Sequence, residues 1–289
     1  MKITKISNVV NHEIKTKSQY QFPSYKTTNN ENSFIFALLM GVKNSGKSHL
    51  MLNILQHEPH LLERGNKVWF ISPTVDDKVR LFQDKFPDNF IIVDGLDIDT
   101  WRDTLDKIKS DVAESLETLE KIKILERYLK TSKKLDPAEM DILEEFNFGS
   151  NLDFKKINLD YPNINTIIID DSMGSALISG ISKQAKEFQR YAIRHRHLYT
   201  NLFILTQYPK AISKTLRSQA NLICMFPMRD QSIYGAIFPE ISGLFNGKLE
   251  NLIDAMKEVE HRNNHSFLTI YYDKKQFVHI NFNEQIDFD

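Results

Sequence analysis

The chain has 289 residues, with 37 Lys and Arg against 38 Asp and Glu and a formal charge of −1. That length suits one substantial α/β domain with small additions, and the charge balance excludes polyanion binding by global charge, so any nucleic-acid surface must come from local clustering. The single cysteine, Cys224, sits in the apolar run Leu222-Ile-Cys-Met-Phe226 and excludes a disulfide framework; no apolar run approaches a membrane span, so an intracellular protein without membrane insertion is expected.

Residues 1–31 are polar, rich in Lys, Asn, Thr and Ser, and carry Pro23. They predict an N-terminal arm or a loosely attached edge element, leaving 32–289 as the main domain. The apolar run Phe34-Ile-Phe-Ala-Leu-Leu-Met40 then leads into Gly41-Val42-Lys43-Asn44-Ser45-Gly46-Lys47-Ser48, and Leu50, Met51, Leu52, Ile54 and Leu55 follow at helical spacing. This is G-x-x-x-x-G-K-[ST] between a strand and a helix, the phosphate-binding loop of a nucleotide-binding fold. Gly41 and Gly46 let the backbone turn its N–H groups onto phosphate oxygens, Lys47 places a charge at the β- and γ-phosphates, and Ser48 offers a hydroxyl to Mg²⁺. The helix N-terminus adds its dipole.

Strand signals recur at 67–72, 89–93, 165–169, 201–206 and 221–226, most of them continuous apolar runs of the kind covered on both faces. Helical patterns between them predict a doubly wound, mostly parallel sheet. Near the end, Ser266–Tyr272 and Gln276–Phe282 flank the turn Asp273-Lys-Lys275, a hairpin that would finish the sheet antiparallel.

Residues 100–160 break this rhythm. Leu105, Ile108, Val112, Leu116, Leu119, Ile122, Leu125 and Leu129 step by three and four, predicting one long amphipathic helix. A second helix starts at Asp136-Pro137-Ala138-Glu139, with Asp136 as cap, Pro137 at the first helical position and Glu139 completing a capping box, and should stop near Gly149. The charges from 136 to 153 are all acidic: Asp136, Glu139, Asp141, Glu144, Glu145 and Asp153. Two readings stay open: a helix pair covering one sheet face, or a projecting insertion that touches a neighbouring subunit.

Ile167-Ile-Ile-Asp170-Asp171 is a β-branched run ending in two carboxylates. At the tip of a buried strand a carboxylate is costly unless it faces a cation or a reacting water. With the glycine loop upstream, Asp170 is expected to hold Mg²⁺ and Asp171 to orient or deprotonate the attacking water. Asn201-Leu-Phe-Ile-Leu-Thr206-Gln207 is another apolar strand with a polar tip. Gln207 there could sense the γ-phosphate. A strand between the loop strand and the acid strand would mark the ASCE, or RecA-like, branch of P-loop NTPases, but sequence order alone does not place residues 201–206 there.

Between Lys183 and Arg217 eight cations face one acid, Glu187. Lys183, Lys186, Arg190 and Arg194 line one helix face, and Ile181, Ala185, Phe188 and Ala192 another. A solvated face is one explanation; the excess of one sign favours a polyanion, either DNA phosphates or the nucleotide of an adjacent subunit. His195 and His197 flank Arg196 with no Cys or carboxylate nearby, so packing or phosphate contact is expected rather than zinc.

From Asp170 to Phe226 the chain resembles the genome-packaging ATPases of poxviruses, other large DNA viruses and virophages, in the FtsK–HerA superfamily. The residues that carry the resemblance are Asp170-Asp171, Arg196-His197, Thr206-Gln207, Pro209 and Arg217, joined upstream by Phe70-Ile-Ser-Pro73 and Phe90-Ile-Ile-Val93. It covers roughly residues 34–95 and 165–226. Asn44 stands where the superfamily loop commonly has glycine, and Asp171 where many members have Glu. The resemblance implies a RecA-like P-loop fold and an ATP- and Mg²⁺-dependent motor that moves double-stranded DNA into a capsid. It further implies a homo-oligomeric ring (hexamer or pentamer), capsid or other virion proteins as partners, and a place in the host cytoplasm, at a viral assembly site or in the virion. Arg196 and Arg217 both match family arginines, and either could act in trans on a neighbour's γ-phosphate. The rivals are another FtsK- or HerA-like translocase or helicase, a nucleotide-dependent assembly switch with little turnover, and a small-molecule kinase. The kinase would need lid arginines, and the 100–160 segment offers only Arg102 and Arg127.

Overall fold

The structure is a computed structural model that describes residues 1–5, 34–62, 65–131, 136–145, 162–170, 175–178, 182–262, 265–272, 277–282 and 284–288. Most of the polar arm, the end of the second insertion helix near Gly149, the hairpin turn at 273–275, Ile181 and Asp171 lie outside the described residues.

The six apolar runs become six parallel strands: β2 (Phe36–Met40), β3 (Lys67–Ser72), β4 (Phe90–Asp94), β5 (Asn165–Ile169), β6 (Thr200–Thr206) and β7 (Leu222–Met225). Helices cover both sides, so the strands bury both faces except in β4, the edge strand, where residues after Phe90 are partly or fully exposed. Alternate residues of β2 divide accordingly: Phe36, Leu38 and Met40 join one core, while Ala37 and Leu39 join the other. The first core takes in α3 (Ile98–Thr131), α5 (Lys183–Arg194), α7 (Ser232–Ile241) and α8 (Leu249–Arg262). The second lies under α1 (Lys47–His57) and α2 (Asp77–Lys85).

The strand order among the described residues is β1 (Lys2–Lys5), β10 (Glu284–Asp287), β9 (Phe277–Ile280), β8 (Leu268–Tyr271), then β7-β2-β6-β5-β3-β4. The expected C-terminal hairpin is β8 (Leu268–Tyr271) with β9 (Phe277–Ile280), and β8 joins β7 antiparallel. β10 (Glu284–Asp287), which carried no sequence signal, pairs with β9, and β1 (Lys2–Lys5), at the start of the segment read as an arm or an edge element, pairs antiparallel with β10 as the edge of the sheet.

The first part of the long helix covers the sheet. Trp101, Leu105 and Ile108 pack into the core beside Phe188 and Tyr191 of α5, with Trp101 edge-on to both rings. Asp111 then pairs with Lys67 and accepts from Asn165 Nδ2 at 3.1 Å, while Asn165 Oδ1 accepts from Trp69 Nε1 at 2.7 Å. Ser115 Oγ accepts from the Asn163 N–H at 2.5 Å, just before β5 begins. Residue 115 therefore stands at the amino edge of the parallel strands. A helix of 34 residues is about 51 Å long, more than twice the length of a five- to seven-residue strand. Its remainder must extend past that edge, where α4 (Pro137–Glu145) joins it through the Arg127–Glu139 ion pair. The capping box forms as expected: Asp136 Oδ1 accepts from Glu139 N at 2.8 Å, and Glu139 Oε2 accepts from Asp136 N at 3.2 Å.

Candidate active site

β2 delivers the loop to the carboxyl edge. Its flanks are pinned by Gly41 N–H to the Thr206 carbonyl at 3.1 Å and Phe226 N–H to the Met40 carbonyl at 2.8 Å. A Cβ on Gly41 would lie 2.7 Å from Phe226 Cβ and 2.7 Å from Ser45 Oγ, so only glycine fits. Asn44, at the departure from the superfamily pattern, has φ 63°, a left-handed conformation that Asn tolerates better than most residues. Gly46, at φ 107°, caps α1 without any side-chain hydrogen bond. By contrast Asp76, Ser182 and Ser213 cap α2, α5 and α6 (Lys214–Arg217) with side-chain oxygens. The first N–H groups of α1 are thus left for an anion. Lys47 is buried and its Nζ donates to the Gly41 and Val42 carbonyls at 2.8 Å each, curling over the loop. Ser45 Oγ is buried inside the loop and has no hydrogen-bond partner among the described residues.

Asp170 follows β5, its N–H bonded to the Ile71 carbonyl at 3.0 Å. Its Oδ2 accepts from Ser48 Oγ at 2.8 Å across 122 residues of sequence. β6 runs between β2 and β5, in register with both, and places half-buried Gln207 between the loop and Asp170. The chain has a P-loop NTPase fold of the ASCE type. Hydroxyl and carboxylate oxygens at Ser48 and Asp170 form a hard donor pair of the sort Mg²⁺ takes.

On the outer flank of α1, burial first, then Lys78 and His265, hold the His49 imidazole below its ordinary pKa. His265 Nδ1 lies 3.2 Å from the Ser45 carbonyl, a contact that sequence reasoning missed because 220 residues separate the two.

The remaining candidates stand elsewhere. Lys183, Lys186, Arg190 and Arg194 are all exposed on α5, while Ala185, Phe188, Tyr191 and Ala192 are buried. Glu187, the one acid among them, is held in a two-bond pair by Arg102 of α3 at 3.0 and 2.8 Å. That pairing lowers the Glu187 carboxyl pKa, through the hydrogen bond foremost. Arg196 and His197 are exposed just before β6 begins, at the amino edge. Buried His195 donates from Nδ1 to the Thr200 carbonyl at 2.6 Å and packs edge-on against Phe36. Among the described residues no group of three or more His, Cys, Asp or Glu could hold a metal ion.

Arg217 is committed within its own chain. It donates to Glu240 Oε1 at 3.2 and 2.7 Å and to the Ile212 carbonyl at 2.6 Å, with the pair only 13% and 7% exposed. This bond ties the crossover between β6 and β7 to the end of α7, and Glu240, 23 residues downstream, carried no sequence signal. Of the two family arginines, Arg196 is the one that faces outward.

No family model and no curated protein matches the sequence. Among solved structures the chain is similar to the genome packaging NTPase B204 of Sulfolobus turreted icosahedral virus 2 in complex with AMPPCP, at 16% identity and TM-score 0.48, covering 85% of this chain and 96% of that one. It is also similar to the pCW3 conjugation coupling protein TcpA with ATPγS, at 15% identity and TM-score 0.46, over 86% of this chain and 60% of that one. A third is EssC (ATPases 2 and 3) from Geobacillus thermodenitrificans, at 12% identity and TM-score 0.40, over 72% and 35%. Among the described residues no helix is long and apolar enough to cross a membrane.

Proposed function

We propose that this protein is an ATP-hydrolysing motor of the FtsK–HerA type that moves double-stranded DNA during packaging of a viral genome. The observation that carries the nucleotide part is the 2.8 Å hydrogen bond from Ser48 to Asp170, which joins the phosphate loop to the acid strand at the carboxyl edge. The loop from Gly41 to Ser48 cradles the phosphates. Lys47 exchanges its two carbonyl contacts for phosphate oxygens, and Ser48 and Asp170 would hold Mg²⁺, which would supply positive charge to offset that of the phosphates. Asp171, next to Asp170 in sequence, takes the attacking water, and Gln207 orients that water against the γ-phosphate.

The residue-level resemblance, rather than the likeness of fold, supports the DNA part. The exposed stripe of Lys183, Lys186, Arg190 and Arg194 has its one acid neutralised by Arg102, which suits a phosphate backbone. Arg196 supports a ring. β6 has seven residues and spans about 23 Å, so an arginine at its start is far from the loop at its end. Arg196 can meet a γ-phosphate only in another copy of the chain.

Measuring ATP turnover with and without duplex DNA tests this reading. A motor hydrolyses ATP faster on DNA. Slow turnover that ignores DNA would instead favour an assembly switch, and no turnover at all would remove the ATPase assignment.

A further inference from the structure

The antiparallel turn of the sheet has a consequence at the phosphate loop. Because β8 runs against β7, it begins at the carboxyl edge, with Leu268 opposite Met225. The connection from α8 to β8 is therefore brought beside the nucleotide site, two strands from β2. A row of aromatic rings fixes it there: Phe226, whose side chain closes the space at Gly41, packs on Phe267 at 5.2 Å, and Phe267 packs on Phe282 at 5.0 Å. Phe267 N–H donates to Asn281 Oδ1 at 3.0 Å, and Asn281 N–H returns to the Phe267 carbonyl at 2.9 Å. Two residues before Phe267, the His265 ring lies against the loop. Its Nδ1 is 3.2 Å from the Ser45 carbonyl and 3.3 Å from where a Cβ on Gly46 would stand.

A carbonyl oxygen only accepts, so Nδ1 carries the proton in this contact. The acceptor belongs to the Ser45–Gly46 peptide. In a trans peptide the N–H points opposite the C=O, so fixing the Ser45 carbonyl toward His265 turns the Gly46 N–H the other way. A hydrogen bond accepted at the carbonyl also polarises the peptide and strengthens its N–H as a donor. Gly46, at φ 107°, has no side chain to hold that orientation by itself.

We infer that His265 is a positioning residue for nucleotide binding: from the C-terminal part of the sheet, it orients the Ser45–Gly46 peptide so that the Gly46 N–H meets a phosphate oxygen. This rests on the nucleotide reading given above. It assigns the antiparallel strands a part in the site, as the support that delivers His265.

The test compares the full-length chain with His265→Ala and His265→Asn, using a fluorescent ATP analogue with Mg²⁺ for binding, steady-state turnover, and thermal unfolding. Asn can place an N–H close to the position of Nδ1. His265→Ala should weaken binding about 3- to 10-fold, the range for one lost hydrogen bond, and raise KM with kcat nearly unchanged. His265→Asn should recover binding to within about twofold of the parent on the same hydrogen-bond scale. Unfolding midpoints should match throughout. Equal affinity of His265→Ala and parent overturns the inference. So does an Asn variant as weak as Ala, or a loss of affinity that follows a lowered midpoint. If the parent itself binds no nucleotide, the reading beneath falls and takes this inference with it.

Discussion

Arg217→Ala distinguishes a support inside the subunit from a group that works on a neighbour. The substitution removes both bonds to Glu240 and the one to the Ile212 carbonyl. It also strands a carboxylate that is 7% exposed and whose Oε2 already has no hydrogen-bond partner among the described residues. Breaking a buried pair from one side costs about 3–5 kcal/mol, mostly for the charge left behind. A chain of this length has an unfolding entropy near 0.6 kcal/mol per kelvin, so that cost lowers the midpoint by roughly 5–8 °C. Replacing both partners, with Arg217→Met and Glu240→Gln together, leaves no stranded charge and should recover most of the loss. Thermal unfolding of the parent, the single variant and the double variant checks this directly. An Arg217→Ala midpoint within about 1 °C of the parent, with hydrolysis lost and nucleotide binding kept, would refute the reasoning and return Arg217 to the list of trans arginines.

Lys47→Ala should abolish ATP hydrolysis with a native circular-dichroism spectrum; turnover at the parent rate would undo the phosphate-loop assignment. Arg196→Ala should bind ATP normally yet hydrolyse it about 10³–10⁵-fold more slowly, the usual contribution of an arginine in trans, and mixing it with Lys47→Ala protein should restore measurable activity. Absence of rescue at any mixing ratio counts against the ring. Changing Lys183, Lys186, Arg190 and Arg194 together to Gln should flatten the dependence of DNA affinity on salt by up to about 3–4 in log–log slope, equally for all sequences, while basal turnover persists. An unchanged slope would leave α5 as a solvated face. Burial, above all, lowers the His279 pKa to about 4 from the ordinary 6.5. The unfolded chain therefore takes up the proton first as pH falls, and stability held above pH 6.5 should be lost progressively down to about pH 4. Denaturant midpoints at several pH values should show a shallower decline in His279→Phe; an identical decline would place the acid sensitivity elsewhere.

Sequence periodicity was sufficient where neighbours in the chain determine structure. The buried parallel strands announce themselves as apolar runs, the phosphate loop as a fixed spacing, and the Asp136–Glu139 capping box as a local pair. What stayed hidden depends on distant partners. The middle place of β6 follows from pairing with β2 and β5, which sequence order does not encode. β10 is four residues of mixed character, Glu284-Gln-Ile-Asp287, too short and too polar to stand out. β1 gains its strand only by pairing with it. The commitment of Arg217 to Glu240 and the approach of His265 to Ser45 are meetings of residues 23 and 220 positions apart, neither marked by a motif. Asp171 rests on its place in the acid motif, outside the described residues.

α5 runs between the carboxyl and amino edges of the parallel strands. Ser182 caps its start, on the chain that follows Asp170, and it ends at Arg194, next to Arg196. Its twelve residues make a bar about 18 Å long. Phe188 and Tyr191 set it against Trp101, and Glu187 bolts it to Arg102. A hydrogen-bonded helix hardly shortens, so α5 keeps the connection after Asp170 and the Arg196 segment at a fixed separation. In the ring proposed above, such a bar would act as a timing rod: the state of one phosphate loop would set when the next copy fires, and the copies would take turns.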